Sequence, residues 1–215
     1  MCAVATSTGN GQPVAVSALH PAVAAPLRNV VTRRLSVRRL AFDDVNELVT
    51  IFAHPEMWEF EYERGMTRRE TEAFVDRQMR LWVECGFGGC AVRELVHRDL
   101  VGVVGLAVPT FPHELVPAVT VGWRFSPAVW GRGYATEAAA AVLDEAFTTM
   151  ELVRVGSITN AENHRSVAVA RRLGMSVIGE ARVPRADRTC AVDVLLFHMA
   201  RGDWLLARNN RGEHP

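Results

Sequence analysis

The stretch from Val121 to Ala138 constrains the fold more than any other part of the chain. Val121, Trp123 and Phe125 alternate with Gly122 and Arg124 as a strand does, and an alanine-rich run predicts a helix from about 136 to 147. Between them lie Ser126-Pro127 and Gly131-Arg132-Gly133, and a second apolar strand is expected at 153–159. A strand, a glycine loop, a helix and a further strand make a β-α-β unit, which requires a parallel strand pair within a sheet covered by helices. The two glycines let the backbone turn tightly and approach a ligand, while the helix that follows offers unpaired N–H groups and the positive end of its dipole. Such a place suits an anion, most naturally a phosphate or pyrophosphate, with Arg132 adding one mobile charge. A simple tight turn accounts for the same residues equally well. A dinucleotide loop fits less well, because Thr159-Asn160 end the next strand where a ribose-binding acid belongs.

The rest of the chain builds outward from this unit. Residues 1–32 are Ala, Val, Pro, Ser, Thr and Gly without helical or strand period, and read as a flexible N-terminal tail. A domain then spans 33–205, with 206–215 as a C-terminal tail. Leu35 and Val37 mark a first strand. Asp43-Asp44 opens a helix whose apolar face is Val45, Leu48, Val49 and Phe52, and Thr67-x-x-Glu70 is a capping box for a second helix that stops at Gly86. Strands follow at 89–95, 100–108 and 116–125, then the β-α-β unit, a helix at 166–173 and strands at 176–182 and 191–199. The pattern is α/β, with a mixed central sheet of six to seven strands and about four helices.

Composition removes several classes of function. Twenty-four basic residues balance twenty-four acidic ones, so no overall field draws the chain to nucleic acid or to an anionic membrane. Every basic residue is arginine, which excludes a lysine nucleophile, a Schiff base and a Walker-type phosphate loop. Cys2, Cys85, Cys90 and Cys190 have no metal-ligand spacing and read as structural thiols, with no metal expected. No basic start precedes the interrupted apolar stretch of the first 27 residues, so no secretory leader is expected and the reading is cytoplasmic.

The loop Trp130-Gly131-Arg132-Gly133-Tyr134-Ala135-Thr136-Glu137-Ala138 resembles the acetyl-CoA loop of the GNAT superfamily of N-acetyltransferases, in the W-G-x-G-Y-A-T-E-A form of its RimJ/RimL-like subgroup. Trp130 stands where the general signature has Arg or Gln. Asn163-His164-Arg165-Ser166 followed by Arg172-Leu173-Gly174-Met175 is similar to a second block of that subgroup, and the element order agrees over roughly residues 33–202. The resemblance implies a GNAT fold with a splay between the fourth and fifth strands, helped by a β-bulge near Gly122. It implies acetyl-CoA as cosubstrate, with the pyrophosphate held by the backbone of Gly131, Arg132, Gly133, Tyr134, Ala135 and Thr136. Trp123 and Phe125 would lie beside the pantetheine arm, Asn163 would bond it, and Ser166 would sit near the sulfur as catalytic acid. Asn163 as a helix cap and Ser166 as a small packed residue are the plainer readings.

The resemblance fails at the base. Members often carry glutamate on the central strand where this chain has Thr120, and their occasional tyrosine acid falls at Ala170. His113 and Glu114 are candidate bases, or a solvated turn; His164, His198 and Asp193 read as surface or sheet residues. On the acceptor side Trp58, Glu59, Glu61 and Tyr62 sit in a linker where carboxylates interleave with aromatics, suited to a cationic amine or to a solvated acidic loop. The expectation is an acyltransferase, monomer or homodimer, that moves an acetyl group to a primary amine, either a peptide α-amine or a small molecule. A non-catalytic acyl-CoA-binding regulator is the alternative, and a ribosome-associated modifying protein a weaker third.

Overall fold

Glycine, proline and capping signals lay down eight strands and five helices, in a computed structural model that describes residues 23–109, 118–186 and 189–210. In chain order they are β1 (Val30–Val31), β2 (Leu35–Arg39), α1 (Val45–Phe52), α2 (Arg68–Cys85), β3 (Gly89–Glu94), β4 (Leu100–Ala107), β5 (Thr120–Phe125), α3 (Tyr134–Thr148), β6 (Arg154–Asn160), α4 (His164–Arg172), β7 (Ser176–Pro184), β8 (Ala191–Ala200) and α5 (Arg201–Asn210). The capping box forms: Thr67 Oγ1 accepts from the Glu70 N–H and the Glu70 carboxylate accepts from the Thr67 N–H, while Gly86 closes α2 in the left-handed conformation.

All eight strands share one sheet in the order β1-β2-β3-β4-β5-β6-β8-β7. Every neighbouring pair is antiparallel except β5 and β6, which the α3 crossover makes parallel. Alternate residues of β3 sort between two cores. Cys90 and Val92 join the cluster containing Ala138, Val142 and Phe147 of α3, and Ala91 joins Leu48, Phe52, Trp58 and Val75 of the α1–α2 side. Helices therefore cover opposite faces of the sheet.

Three expectations are corrected. There are eight strands and five helices rather than six to seven and about four: β1 is a two-residue strand with no readable period, and α5 has one buried apolar anchor, Trp204. Residues 23–32, assigned to the tail, pack on the domain. Leu27 is buried, its N–H donates to Gly86 O, and Arg28 grips Glu145 with two hydrogen bonds of 2.8 and 2.9 Å. Helix α5 likewise runs through the boundary placed at 205. Finally, β4 and β5 pair in unbroken register from Gly102↔Phe125 to Ala107↔Thr120, so there is no bulge at Gly122. Residues 1–22, and with them Cys2, lie outside the described residues.

The buried carboxylate of Asp44 ties β2 and β3 to the start of α1. It accepts both terminal nitrogens of Arg38 (2.9 and 2.5 Å), Arg93 Nη2 at 3.1 Å and the Ala41 N–H at 3.0 Å, with its side chain 1% exposed. Burial alone would raise this carboxyl, but the Arg38 guanidinium, the Ala41 N–H and Arg93 outweigh it and hold it below its ordinary value. A depressed carboxyl stabilises the fold fully above its unfolded value, and that contribution disappears as the pH falls through the folded value. Asp44→Asn is expected to lose ~3 kcal/mol in urea denaturation at pH 7, and the gap to the parent protein should narrow on acidification. Equal stability at pH 7 would show that the two arginines lose nothing when the charge is removed.

Candidate active site

The parallel pair at the middle of the sheet is barely a pair. Thr120↔Gly156 is its one register match, with Gly156 N–H donating to Val119 O. Beyond Thr120 the strands part, giving the splay expected between the fourth and fifth strands of the sequence reading. Backbone alternation turns the N–H and C=O of odd-numbered β5 residues toward the gap, as Val119 O shows, and of even-numbered positions toward β4, where Ser126 N–H reaches Val101 O. The Phe125 carbonyl is taken by Trp130 Nε1 at 2.8 Å. Trp123 therefore presents its N–H and C=O to the gap with no β6 residue in register opposite.

On the α3 side the gap widens into a cleft of about 920 Å³, at the upper end of the roughly 300–1,000 Å³ usual for small-molecule sites. Trp123, Phe125, the whole run Gly131–Thr136, Asn163 and Ser166 line it. Gly131 and Gly133 have φ of +76° and +79°, the left-handed region in which a side chain is strained. Gly133 is the N-cap of α3, and having no side chain it leaves the first N–H groups of the helix without a cap. Thr136 Oγ1 is buried with no hydrogen-bond partner among the described residues, an arrangement that normally costs about 1–3 kcal/mol. A phosphate or pyrophosphate at this helix start would satisfy these donors together. Trp130, in the place of the family's Arg or Gln, props the loop: its ring carries the Arg165 guanidinium 4.1 Å above its centre.

Other loop side chains are engaged within the protein. Tyr134 donates its hydroxyl to Glu94 at 2.6 Å, and that bond is the main reason its pKa is raised. Arg132, expected to face a phosphate, stands 3.7 Å from Glu94 with its side chain more than half exposed. The Phe125 ring is buried and its carbonyl occupied, so of the two β5 aromatics Trp123 alone keeps both its N–H and its C=O open to the gap.

At the start of α4 both readings of Asn163 hold. Its Oδ1 accepts the Ser166 N–H at 3.0 Å as a cap, and the residue also lines the cleft. Trp123 Nε1 donates to Ser166 Oγ at 3.3 Å, which fixes the hydroxyl oxygen and leaves its proton available to another acceptor. Trp123, Arg124, Asn163 and Ser166 border a second groove of about 290 Å³ on the α2 side, floored by Gly122, where a Cβ would meet nothing within 4 Å, and flanked by Thr120. The two hollows thus meet at these four residues.

Of the four linker residues expected on the acceptor side, Glu61 lines this second groove and Trp58, Glu59 and Tyr62 do not, so no free cation cage forms there. Glu61 is the groove's one carboxylate among the described residues, but Arg124 holds Glu61 at 2.9 Å and lies over the Trp58 ring at 4.5 Å. Trp58 is buried, with Nε1 donating to Phe52 O and Tyr62 tilted beside it. Glu59 pairs with Arg165 at 3.4 Å. Arg124 and Arg165 went unnoticed in the sequence because nothing local couples them to residues sixty or a hundred positions away. Thr120, in the position of the missing glutamate, gives its hydroxyl to Ala107 O. His113 and Glu114 lie outside the described residues, and neither His198 nor Asp193 borders either hollow. His164 borders the larger one as the first residue of α4. Burial pushes the Cys90 thiol up to about 12, so it stays protonated.

Residues 34–176 match the acetyltransferase (GNAT) domain family, and the chain belongs to it. The uncharacterized N-acetyltransferase YnaD of Bacillus subtilis (strain 168) is 26% identical over 148 residues, 68% of this chain and 82% of that protein. A GNAT-family acetyltransferase from Bacillus anthracis superposes with a TM-score of 0.68 at 23% identity, over 81% of this chain and 99% of the other. RimL, a ribosomal L7/L12 α-N-protein acetyltransferase solved with coenzyme A, superposes with a TM-score of 0.66 at 17% identity, over 81% and 98%. No helix among the described residues is long and apolar enough to cross a membrane.

The orphaned hydroxyl gives a test that needs no ligand. Thr136→Val removes it, and the ligand-free protein is expected to keep its Tm or gain up to about 2–4 °C, the effect of ~1 kcal/mol in a chain of this size. A drop of several degrees would show that the hydroxyl already has a partner inside the protein.

Proposed function

We propose that this GNAT acetyltransferase moves the acetyl group of acetyl-CoA to a primary amine of low pKa, such as a peptide α-amine, by direct attack. The observation that carries this reading is the meeting of the two hollows at Trp123, Arg124, Asn163 and Ser166, where the sheet parts. A protein that only bound an acyl-CoA would have no need of the second groove.

Acetyl-CoA supplies an activated thioester. The N–H groups of Gly131 and of Gly133 to Thr136, with the Thr136 hydroxyl, hold its pyrophosphate, the Arg132 N–H being taken by Val129 O, and the free backbone groups of Trp123 replace the missing β6 partner with pantetheine amides. The Asn163 amide nitrogen donates to the same arm. The amine enters along Gly122 and Thr120 and forms the N–C bond as the C–S bond breaks; the Ser166 hydroxyl gives its proton to the departing sulfur and is restored by the proton that the amine nitrogen loses. Such acid help is typically worth ~100- to 10,000-fold, and orientation alone up to ~7–11 kcal/mol.

The amine preference follows from what the second groove contains. Thr120 cannot take a proton from an ammonium at neutral pH, and Glu61 is occupied by Arg124. Freeing a lysine ε-amine of pKa ~10.4 costs about 4.6 kcal/mol at pH 7, against about 1.1 for an α-amine near ~7.8. Matched peptides offering only an α-amine or only a lysine should therefore differ strongly in kcat/KM near neutrality, converging as the pH rises from 6 to 10. Equal efficiency at pH 7 would mean that a strong base serves the site. In the same assay Thr136→Val should weaken coenzyme A binding about tenfold by calorimetry, and unchanged affinity would remove the pyrophosphate from α3.

A further inference from the structure

The proposed pyrophosphate site has a carboxylate in its wall. Glu137 stands in the first turn of α3 and lines the cleft beside Thr136. Close to a helix start that is to receive a phosphate, an uncompensated negative charge would repel the ligand. The sequence places no basic residue near enough on α3 to cancel it, and the fold brings one from about a hundred positions away.

That residue is Arg34, at the turn between β1 and β2. Its Nε donates to Glu137 Oε2 at 2.7 Å, its Nη2 lies 2.6 Å from the same oxygen, and its backbone N–H donates to Oε1 at 2.9 Å, where the Thr32 hydroxyl also binds at 2.6 Å. Its remaining nitrogen, Nη1, donates to Arg132 O at 2.9 Å, and the guanidinium sits 4.6 Å over the Tyr134 ring. One planar cation thus neutralises Glu137, ties down the crest of the glycine loop and stacks on the loop's aromatic residue, a combination that the fork of arginine allows and a point charge does not. Burial by itself would raise the Glu137 carboxyl; the Thr32 hydroxyl and Arg34 outweigh it and keep the group ionised. Arg34 is not among the residues lining the cleft, whereas Glu137 and Arg132 are.

We infer that Arg34 is a positioning residue for the cofactor site: it cancels the Glu137 charge so that the α3 start can accept a pyrophosphate, without touching the ligand itself. This rests on the coenzyme A reading above. It differs from a direct phosphate contact in one respect, since an arginine that acts by cancelling Glu137 becomes dispensable once Glu137 is uncharged.

The test is a double-mutant cycle on the full chain, read by calorimetry with coenzyme A. Arg34→Gln is expected to weaken binding about tenfold, and Arg34→Gln with Glu137→Gln to recover to within about threefold of the parent, both changes exceeding ordinary cycle error. Glu137→Gln alone should bind as tightly as the parent or more tightly, which keeps the test open if Arg34→Gln fails to fold. In turnover, Arg34→Gln should lose at least about fivefold more kcat/KM with acetyl-CoA than with S-acetylpantetheine, which lacks the phosphates; a merely structural defect would lower both alike. Unchanged affinity in Arg34→Gln, a double variant as weak as Arg34→Gln, weakened binding in Glu137→Gln, or equal losses on the two donors would each overturn the inference. Failure of the parent protein to bind coenzyme A would instead overturn the reading on which it rests.

Discussion

The parting of β5 from β6 is the constraint on which the rest of the structure depends. A sheet interior normally satisfies every backbone N–H and C=O by pairing, and here the ladder stops after Thr120↔Gly156. The Phe125 carbonyl is taken by the Trp130 indole, which leaves Trp123 with both its N–H and its C=O on the gap and no β6 residue in register opposite. That leaves an edge inside the sheet, open to a ligand that can offer amides. The α3 start borders one hollow and Gly122 the other, and Trp123 borders both.

Charge around this gap is arranged in closed pairs. Glu137 is met by Arg34, Glu94 by Tyr134 and Arg132, Glu61 by Arg124 and Glu59 by Arg165. Pairs as exposed as Glu59–Arg165 add little to stability; of the two carboxylates that line the cleft among the described residues, Glu137 is neutralised by Arg34 and Glu56 meets His54 at 4.0 Å. A chain whose cations are all arginine can do this with planar groups that also stack on Trp58, Trp130 and Tyr134.

What could be read from the sequence was what local chemistry encodes. The Thr67–Glu70 capping box, the tight turn at Gly131 and Gly133, the Asn163 cap and the alanine-rich helix α3 each depend on neighbours within one or two turns, and each formed as expected. The splay and the gathering of Trp123, Asn163, Ser166 and the loop into one cleft were legible through the family resemblance. Contacts made across the fold were not legible. Nothing in Arg34 or Arg124 announces a carboxylate partner sixty to a hundred residues away, and Leu27 gave no period to show that residues 23–32 would pack on the domain. The bulge expected at Gly122 was unnecessary, because β6 diverges while β5 keeps its register with β4.

The proposed function places the pantetheine arm in the gap beside Trp123 and the pyrophosphate at the α3 start. A crystal structure of the coenzyme A complex tests it most directly. Phosphate oxygens are expected on the N–H groups of Gly131 and of Gly133 to Thr136, a pantetheine amide hydrogen-bonded to the Trp123 backbone, and the sulfur beside Ser166 Oγ. Coenzyme A bound elsewhere, with the Trp123 backbone unpaired or the two strands closed on each other, would contradict it.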